Sequence, residues 1–274
     1  MRIVNLMENT KGSNDCLCEH GLSFYIETKS HKLLVDTGAS DLFVQNAQTL
    51  GIDLSLIDTV ILSHGHYDHG GGLLAFMELN SKAKIYIRDK AFGDFYHVDS
   101  KHERYIGIKQ AIKASEQVEL VEGNLRIDEE LFLFTNVRGR KLWPSGNLVL
   151  KEKTDDGWIQ DEFEHEQYLV ISEENQIVLI SGCAHNGILN IMDKALEILG
   201  KAPDVVISGF HMMQKNGYTP EDIENICKTA EELKQWQTIY YTGHCTDLLP
   251  FETMKEIMGD QVRYAHCGDE VKCS

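Results

Sequence analysis

Short apolar runs with a rough period of two dominate the first third of the chain. Residues 22–27 and 32–36 each carry such a run and predict a hairpin of strands. A helical stretch follows over 40–50 and stops at Gly51, and 59–63 (Thr-Val-Ile-Leu-Ser) reads as a buried strand running straight into His64. From about 90 to 130 the periodicity fades while charges and aromatics accumulate, which predicts an insertion or lid, with a surface helix near 106–115 as the alternative. Strands return at 131–135, 168–172 and 176–181, followed by a helix over 187–200. The last quarter alternates strand 204–208, helix 220–234, strand 238–242, helix 250–258 and strand 261–265. Strand-rich hairpins in each half, with helices after the later strands, predict an α+β fold, a four-layer αββα sandwich. The four prolines are scattered and no repeat or linker interrupts the pattern, so residues 1–274 read as a single domain.

Charge narrows the partners. The chain has 26 basic and 43 acidic side chains, a formal net charge of −17, and such a field repels long nucleic acid and anionic membranes. The expected partner is a small molecule; if that molecule is anionic it needs its own charge partner, such as a metal. An apolar fraction of 42% supplies a sizeable core, and no segment approaches the roughly 18 uninterrupted apolar residues of a membrane span. Seven cysteines at irregular spacing argue for reduced thiols, and with no leader pattern at residues 1–8 the expected location is cytoplasmic; the oligomeric state stays open.

The chemistry concentrates in Ser63-His64-Gly65-His66-Tyr67-Asp68-His69-Gly70-Gly71-Gly72, with four metal-capable side chains within six residues after a buried strand. Neutral imidazoles and a carboxylate suit borderline divalent metals, and the i, i+2 spacing of His64 and His66 can aim both rings to one side of an extended turn. The glycines let the backbone turn tightly and enter a helix at about Leu73. His244 follows the strand 238–242 and His211 follows the strand 204–208, so strand ends again present imidazoles. Cys16-x-Cys18-x-His20 lacks a second half, and a cleft-rim role for His20 reads better than an independent site. Arg138-Gly139-Arg140-Lys141 is the one basic cluster, which Arg88, Lys101 and Arg104 join if the insertion folds over a cleft. No phosphate-binding glycine loop and no serine elbow occurs.

The His-x-His-x-Asp-His run, with Asp36-Thr37-Gly38 on an earlier strand, resembles the metallo-β-lactamase superfamily. Glu19-His20-Gly21, Ser181-Gly182-Cys183-Ala184-His185, Gly209-Phe210-His211 and Gly243-His244-Cys245 extend the resemblance over nearly the whole chain. Their order is similar to that of the 7,8-dihydropterin-6-methyl-4-(β-D-ribofuranosyl)aminobenzene-5′-phosphate synthase-like branch. The resemblance implies a metallo-β-lactamase-like sandwich and a hydrolase or transferase acting through a metal-bound hydroxide on a small phosphorylated or pterin-like metabolite. One or two divalent ions are implied, zinc first, with manganese or iron as alternatives. His64 and His66 would share one ion with a later histidine, while Asp68, His69 and His244 would hold the second. Asp68 would also orient the hydroxide, His211 would act as an acid or oxygen contact, and Asp36 would orient a ligating imidazole.

The departure from the superfamily lies at the strand 176–181. Many members end this strand in Gly-Asp, the aspartate bridging both metals, whereas this chain has Gly182-Cys183-Ala184-His185. His185 is taken to complete the first site, with His165 as its rival and Cys183 as a soft alternative. Two further readings follow from the same residues: a non-catalytic metal-binding scaffold or sensor, which the missing carboxylate would allow, and a diiron redox protein. Against the latter stand His66, where a glutamate is expected, and the absence of a flavin-binding domain.

Overall fold

The computed structural model describes residues 1–12 and 14–273. Two seven-stranded sheets form its centre. The first runs Glu270–Val271, Arg2–Met7, Ser23–Glu27, Lys32–Val35, Thr59–Leu62, Lys84–Arg88, Val118–Val121 in spatial order. The second runs Val262–Tyr264, Ile239–Thr242, Val205–Ser208, Gln176–Ser181, Gln167–Glu173, Leu131–Thr135, Leu125–Arg126. Each sheet is antiparallel where a hairpin connects neighbours and parallel where a helix intervenes, as Lys32–Val35 beside Thr59–Leu62 and Gln176–Ser181 beside Val205–Ser208.

The period-two pattern decides which face is inner. Leu33, Val35 and Ile61 meet Leu133, Leu169, Ile180 and Ile207 between the sheets, while Leu34, Val60 and Leu62 point the other way, onto the helices Leu42–Thr49 and Leu73–Leu79. On the far side Val170, Leu179, Val206 and Tyr240 pack against Ile188–Leu199, Pro220–Leu233 and Leu248–Met258. Three apolar layers thus separate helix, sheet, sheet and helix, the αββα order predicted above. The helix Pro220–Leu233 starts where its sequence says it should: Thr219 accepts from the Asp222 amide, Asp222 accepts from the Thr219 amide, and proline fills the first turn.

The stretch 90–130 is divided rather than continuous. Phe95–Val98 and Glu103–Tyr105 pair with Leu150–Thr154 and Gly157–Gln160 in a separate four-stranded sheet, whereas Val118–Val121 closes one edge of the first large sheet and Leu125–Arg126 one edge of the second. Gln110–Ala114 is a short 3₁₀ turn in place of a longer surface helix. The small sheet rests on Phe95, Ile106, Leu150 and Phe163, a satellite core of its own. The strands Arg2–Met7 and Lys84–Arg88, which the apolar pattern had not singled out, complete the first sheet. Among the described residues no helix is long and apolar enough to cross a membrane, and all seven cysteines are free thiols.

His31 ties the sheets together at one end. Its Nδ1 lies 2.9 Å from Asp58 and its Nε2 2.6 Å from Asp128, so both nitrogens donate only when the ring is charged. Burial opposes that charge, but the hydrogen bonds to Asp58 and Asp128 outweigh it and raise the imidazole above its ordinary value. A raised folded-state value gives stability that is complete below about pH 6.5 and disappears as pH climbs through the folded value. His31→Gln is therefore expected to lower stability by up to about 1 kcal/mol at pH 5.5 to 6 and to change little at pH 9, as read by urea unfolding.

Candidate metal centre

Ligand-bearing side chains converge where strands of both sheets end. Thr59–Leu62 delivers Ser63 and His64 into a turn, and His66 starts the four-residue helix Tyr67–Gly70 that carries Asp68 and His69. From the second sheet, Gln176–Ser181 leads to Cys183 and His185, Val205–Ser208 to His211, and Ile239–Thr242 to His244. The turns are conformationally costly. Asp36, Ala184, His211 and His244 all have positive φ, between 49° and 60°, a region that non-glycine residues enter at a price of order 1 kcal/mol or more.

The rings form two adjoining groups. His64, His66 and His185 have centroids 4.6 to 4.9 Å apart, near edge-on to one another. His69 and His244 stand 5.0 Å apart, with Asp68 Oδ2 at 3.9 Å from His69 Nε2 and 3.4 Å from His244 Nε2. Cys183 belongs to both: its sulfur and the ring nitrogens of His64 and His185 lie within 4.8 Å of one another, and so do its sulfur and those of His69 and His244.

Four of the imidazoles, those of His64, His69, His185 and His244, are gripped at Nδ1. Asp36 Oδ2 accepts from His69 Nδ1 at 2.7 Å and from the Ser63 hydroxyl, while its Oδ1 accepts from the Ser63 amide; Ser63 Oγ in turn lies 2.9 Å from His64 Nδ1. Asn147 holds His185 twice, its amide donating to the His185 carbonyl at 2.7 Å and its Oδ1 facing Nδ1 at 2.9 Å. Asn9 Oδ1 faces His244 Nδ1 at 2.8 Å, and the buried Glu8 accepts from the His244 amide. What is left over is informative: among the described residues, Nε2 of His64, His66, His185 and His244 is buried without a hydrogen-bond partner, as is Nδ1 of His211. Buried polar atoms rarely stay unpaired, and an unpaired imidazole nitrogen oriented by a bond at the opposite nitrogen, as at His64, His185 and His244, is the form in which histidine receives a metal.

The electrostatics point the same way. Burial and the neighbouring histidines push His64 and His185 well below the ordinary imidazole value, and burial lowers His66, so all three keep a free lone pair at neutral pH. At His69, burial opposes the charged ring, but Asp36 and Asp68 overcome it and raise the value to about 9. Burial would raise Asp68, yet His69, His20 and His244 hold its carboxyl well below the usual carboxylate range. The place is built for positive charge.

His165, the rival for the first site, has both nitrogens engaged: Nδ1 accepts from the Gly65 amide at 3.1 Å and Nε2 lies 3.1 Å from Asp161, beside His66. His20 lies at the cleft rim, Nε2 at 3.3 Å from Asp68, while Cys16 is buried in the core and Cys18 is exposed, so the Cys-x-Cys-x-His run is not brought together. Arg88 is buried and spent on Asp89 and main-chain carbonyls. Arg138, Arg140 and Lys141 pair with Glu164, Glu162 and Glu232 away from the histidines. Glu8, Asn9 and Asn147, which fix the ligand-bearing loops, carry no local sequence signal.

Above the histidines opens a cleft of about 260 Å³, bordered by the small sheet. His66, Asp68, His185 and His211 line its floor; Tyr67, Ile106, Val149 and Leu150 give an apolar wall; Arg104 and Lys215 supply positive charge. Arg104 lies over the Tyr67 ring and reaches its hydroxyl at 3.3 Å.

The family model of the metallo-beta-lactamase superfamily matches residues 17–195. A 7,8-dihydropterin-6-methyl-4-(beta-D-ribofuranosyl)-aminobenzene-5′-phosphate synthase of Methanocaldococcus jannaschii is 27% identical, covering 99% of this chain and 96% of its own. Tm1679, a metal-dependent hydrolase of the beta-lactamase superfamily, has a crystal structure that superposes with a TM-score of 0.81 at 30% identity, over 99% of this chain and 98% of that one. Zn²⁺-bound PqqB of Methylobacterium extorquens shares the fold at 14% identity, with a TM-score of 0.57 over 99% of this chain and 100% of that one. With the motif, the layers and these matches in agreement, the chain belongs to the metallo-β-lactamase superfamily.

Proposed function

We propose that this protein is a metal-dependent hydrolase whose substrate is a small anionic metabolite carrying a phosphate, and that His64, His66 and His185 hold one divalent ion while Asp68, His69 and His244 hold a second. The observation that carries the reading is the set of buried imidazole nitrogens left without partners beneath an open cleft. Divalent ions bound there would bring a water toward its neutral-pH conjugate base and stabilise negative charge developing on the attacked group. The chain's own residues supply the rest. Asp68, kept anionic by the histidines around it, accepts a hydrogen bond at Oδ2 from the attacking water and fixes its orientation. His211, whose ring centroid lies 4.1 Å from that of His185 and whose Nδ1 is unpaired, delivers a proton to the leaving oxygen. The apolar wall excludes bulk water, and Arg104 and Lys215 hold the anionic end of the substrate at the mouth. The small sheet, through Phe95–Val98 and Glu103–Tyr105, serves as the lid. The name of the archaeal synthase relative supports a phosphorylated, pterin-like molecule, and that of Tm1679 supports metal-dependent hydrolysis.

Elemental analysis of untagged protein purified without added metal is expected to find two equivalents of a divalent metal per chain, zinc first. Screening of phosphomonoesters, phosphodiesters and thioesters follows. Full metal occupancy with no turnover on any of them would replace this reading with a metal-binding scaffold or sensor. Arg104→Ala and Lys215→Ala are each expected to raise KM for a phosphorylated substrate about three- to tenfold with kcat little changed, an effect that shrinks as salt is added. Equal effects on a neutral ester of the same size would remove the phosphate from the proposal.

A further inference from the structure

Cys183 stands where its chemistry and its position meet. Its side chain is buried, 3% exposed, and among the described residues it is the one shared by the two histidine groups. The sulfur lies 3.1 Å from His69 Nε2, on the side of the second group, while the ring nitrogens of His64 and His185 converge on it from the first. Gly182 makes that approach feasible: a Cβ at this position would run into the Ser63 hydroxyl and come within 3.1 Å of His64 Nδ1, so no other residue lets the strand end sit this close to the first imidazole. Ala184, next in the chain, takes a positive φ of 53°, which turns His185 back toward the same point.

Resting on the two-ion reading above, we infer that Cys183 is a bridging ligand, its thiolate shared by both ions, in addition to His185 rather than in place of it. Charge supports the arrangement. The first group consists of neutral imidazoles alone, the second adds the single charge of Asp68, and a thiolate between them is the anion that lets two dications sit side by side. On binding, the S–H bond breaks, its proton leaves to solvent, and the sulfur lone pairs form the two metal bonds; nothing is oxidised or reduced. Cys245, the neighbouring buried thiol, lies to one side: its sulfur accepts from the His211 amide at 3.3 Å, faces the Cys183 carbonyl at 3.5 Å and sits within 4.8 Å of the Cys183 sulfur and a His211 ring nitrogen, but it joins neither of the two histidine groups. A bridging sulfur also ranks the metals, because thiolates favour zinc, cobalt and ferrous ions over manganese.

The test is a cobalt titration of the metal-stripped protein, followed by absorption and by metal analysis. For the wild type, a thiolate-to-cobalt charge-transfer band should grow through both the first and the second equivalent. Cys183→Asp should bind two cobalt ions without the band and should lose preference for zinc over manganese in a competition experiment. Cys245→Ser should keep the band. A band that saturates after one equivalent overturns the bridge, and one that survives in Cys183→Ser but vanishes in Cys245→Ser assigns the sulfur to the other cysteine. Two bound ions with no band in the wild type, a result that depends on no variant folding, also overturns the bridge while leaving the two-ion site standing. Failure of the wild type to bind cobalt removes both.

Discussion

Replacing His185 by alanine is expected to remove one metal equivalent, or to weaken the first ion by about a hundredfold or more, while His165→Ala keeps full stoichiometry. The two residues are equally buried and both rings lie near His64, His185 edge-on at 4.9 Å and His165 stacked at 5.9 Å, so proximity does not separate them. Hydrogen bonding does. His165 already uses one nitrogen on the Gly65 amide and the other on Asp161, whereas His185 has Nδ1 fixed by Asn147 and Nε2 free. Loss of His165 should appear as loss of stability, about 1 to 3 kcal/mol for two buried hydrogen bonds and the carboxylate left behind, and not as loss of metal. Elemental analysis and competition with a chromophoric chelator measure the first quantity, and urea unfolding the second. The reverse order of metal loss would show that the first site is completed from the loop before Gln167–Glu173.

The second large effect is expected at Asp36. Its carboxylate accepts three hydrogen bonds, from the Ser63 amide, the Ser63 hydroxyl and His69 Nδ1, and through Ser63 it also reaches His64. Asp36→Asn keeps the shape and, because asparagine tolerates the left-handed backbone found here at φ 60°, isolates the charge. Metal affinity should fall about 10- to 100-fold, the usual scale for losing a carboxylate behind a ligating histidine. Asp36→Ala should in addition cost roughly 2 to 4 kcal/mol of stability, since the Ser63 amide then lies buried without a partner. Unchanged affinity in the asparagine variant would mean that the carboxylate holds the loop and does nothing for the imidazole.

What could be read from the chain, and what could not, follows from how far apart the relevant residues are in sequence. The layers were legible because the short apolar runs at 32–35, 59–62 and 176–181 read as strands buried on both faces, and because Gly51, Gly200 and Pro220 punctuate the helices. The ligand run 64–69 was legible for the same reason, being one strand end and one turn. The small sheet was not: Glu103–Tyr105 and Gly157–Gln160 are mixed in polarity, and Phe95–Val98 finds its partner more than fifty residues away in Leu150–Thr154. Nor was there a local signal for Glu8, Asn9 or Asn147, each a single polar residue whose value comes from the loop it meets. Cys183 is the intermediate case. Its place at the strand end was visible, but its position between two groups of histidines exists only once both sheets are assembled.

The left-handed residues around the histidines carry an evolutionary consequence. At Asp36, Ala184, His211 and His244 glycine would suit the backbone better, yet three of these positions hold side chains that the site uses. Drift toward a more stable chain and drift away from activity therefore point in the same direction here. Lineages that abandon the chemistry should accumulate glycine at these positions first, while the strands beneath them stay unchanged.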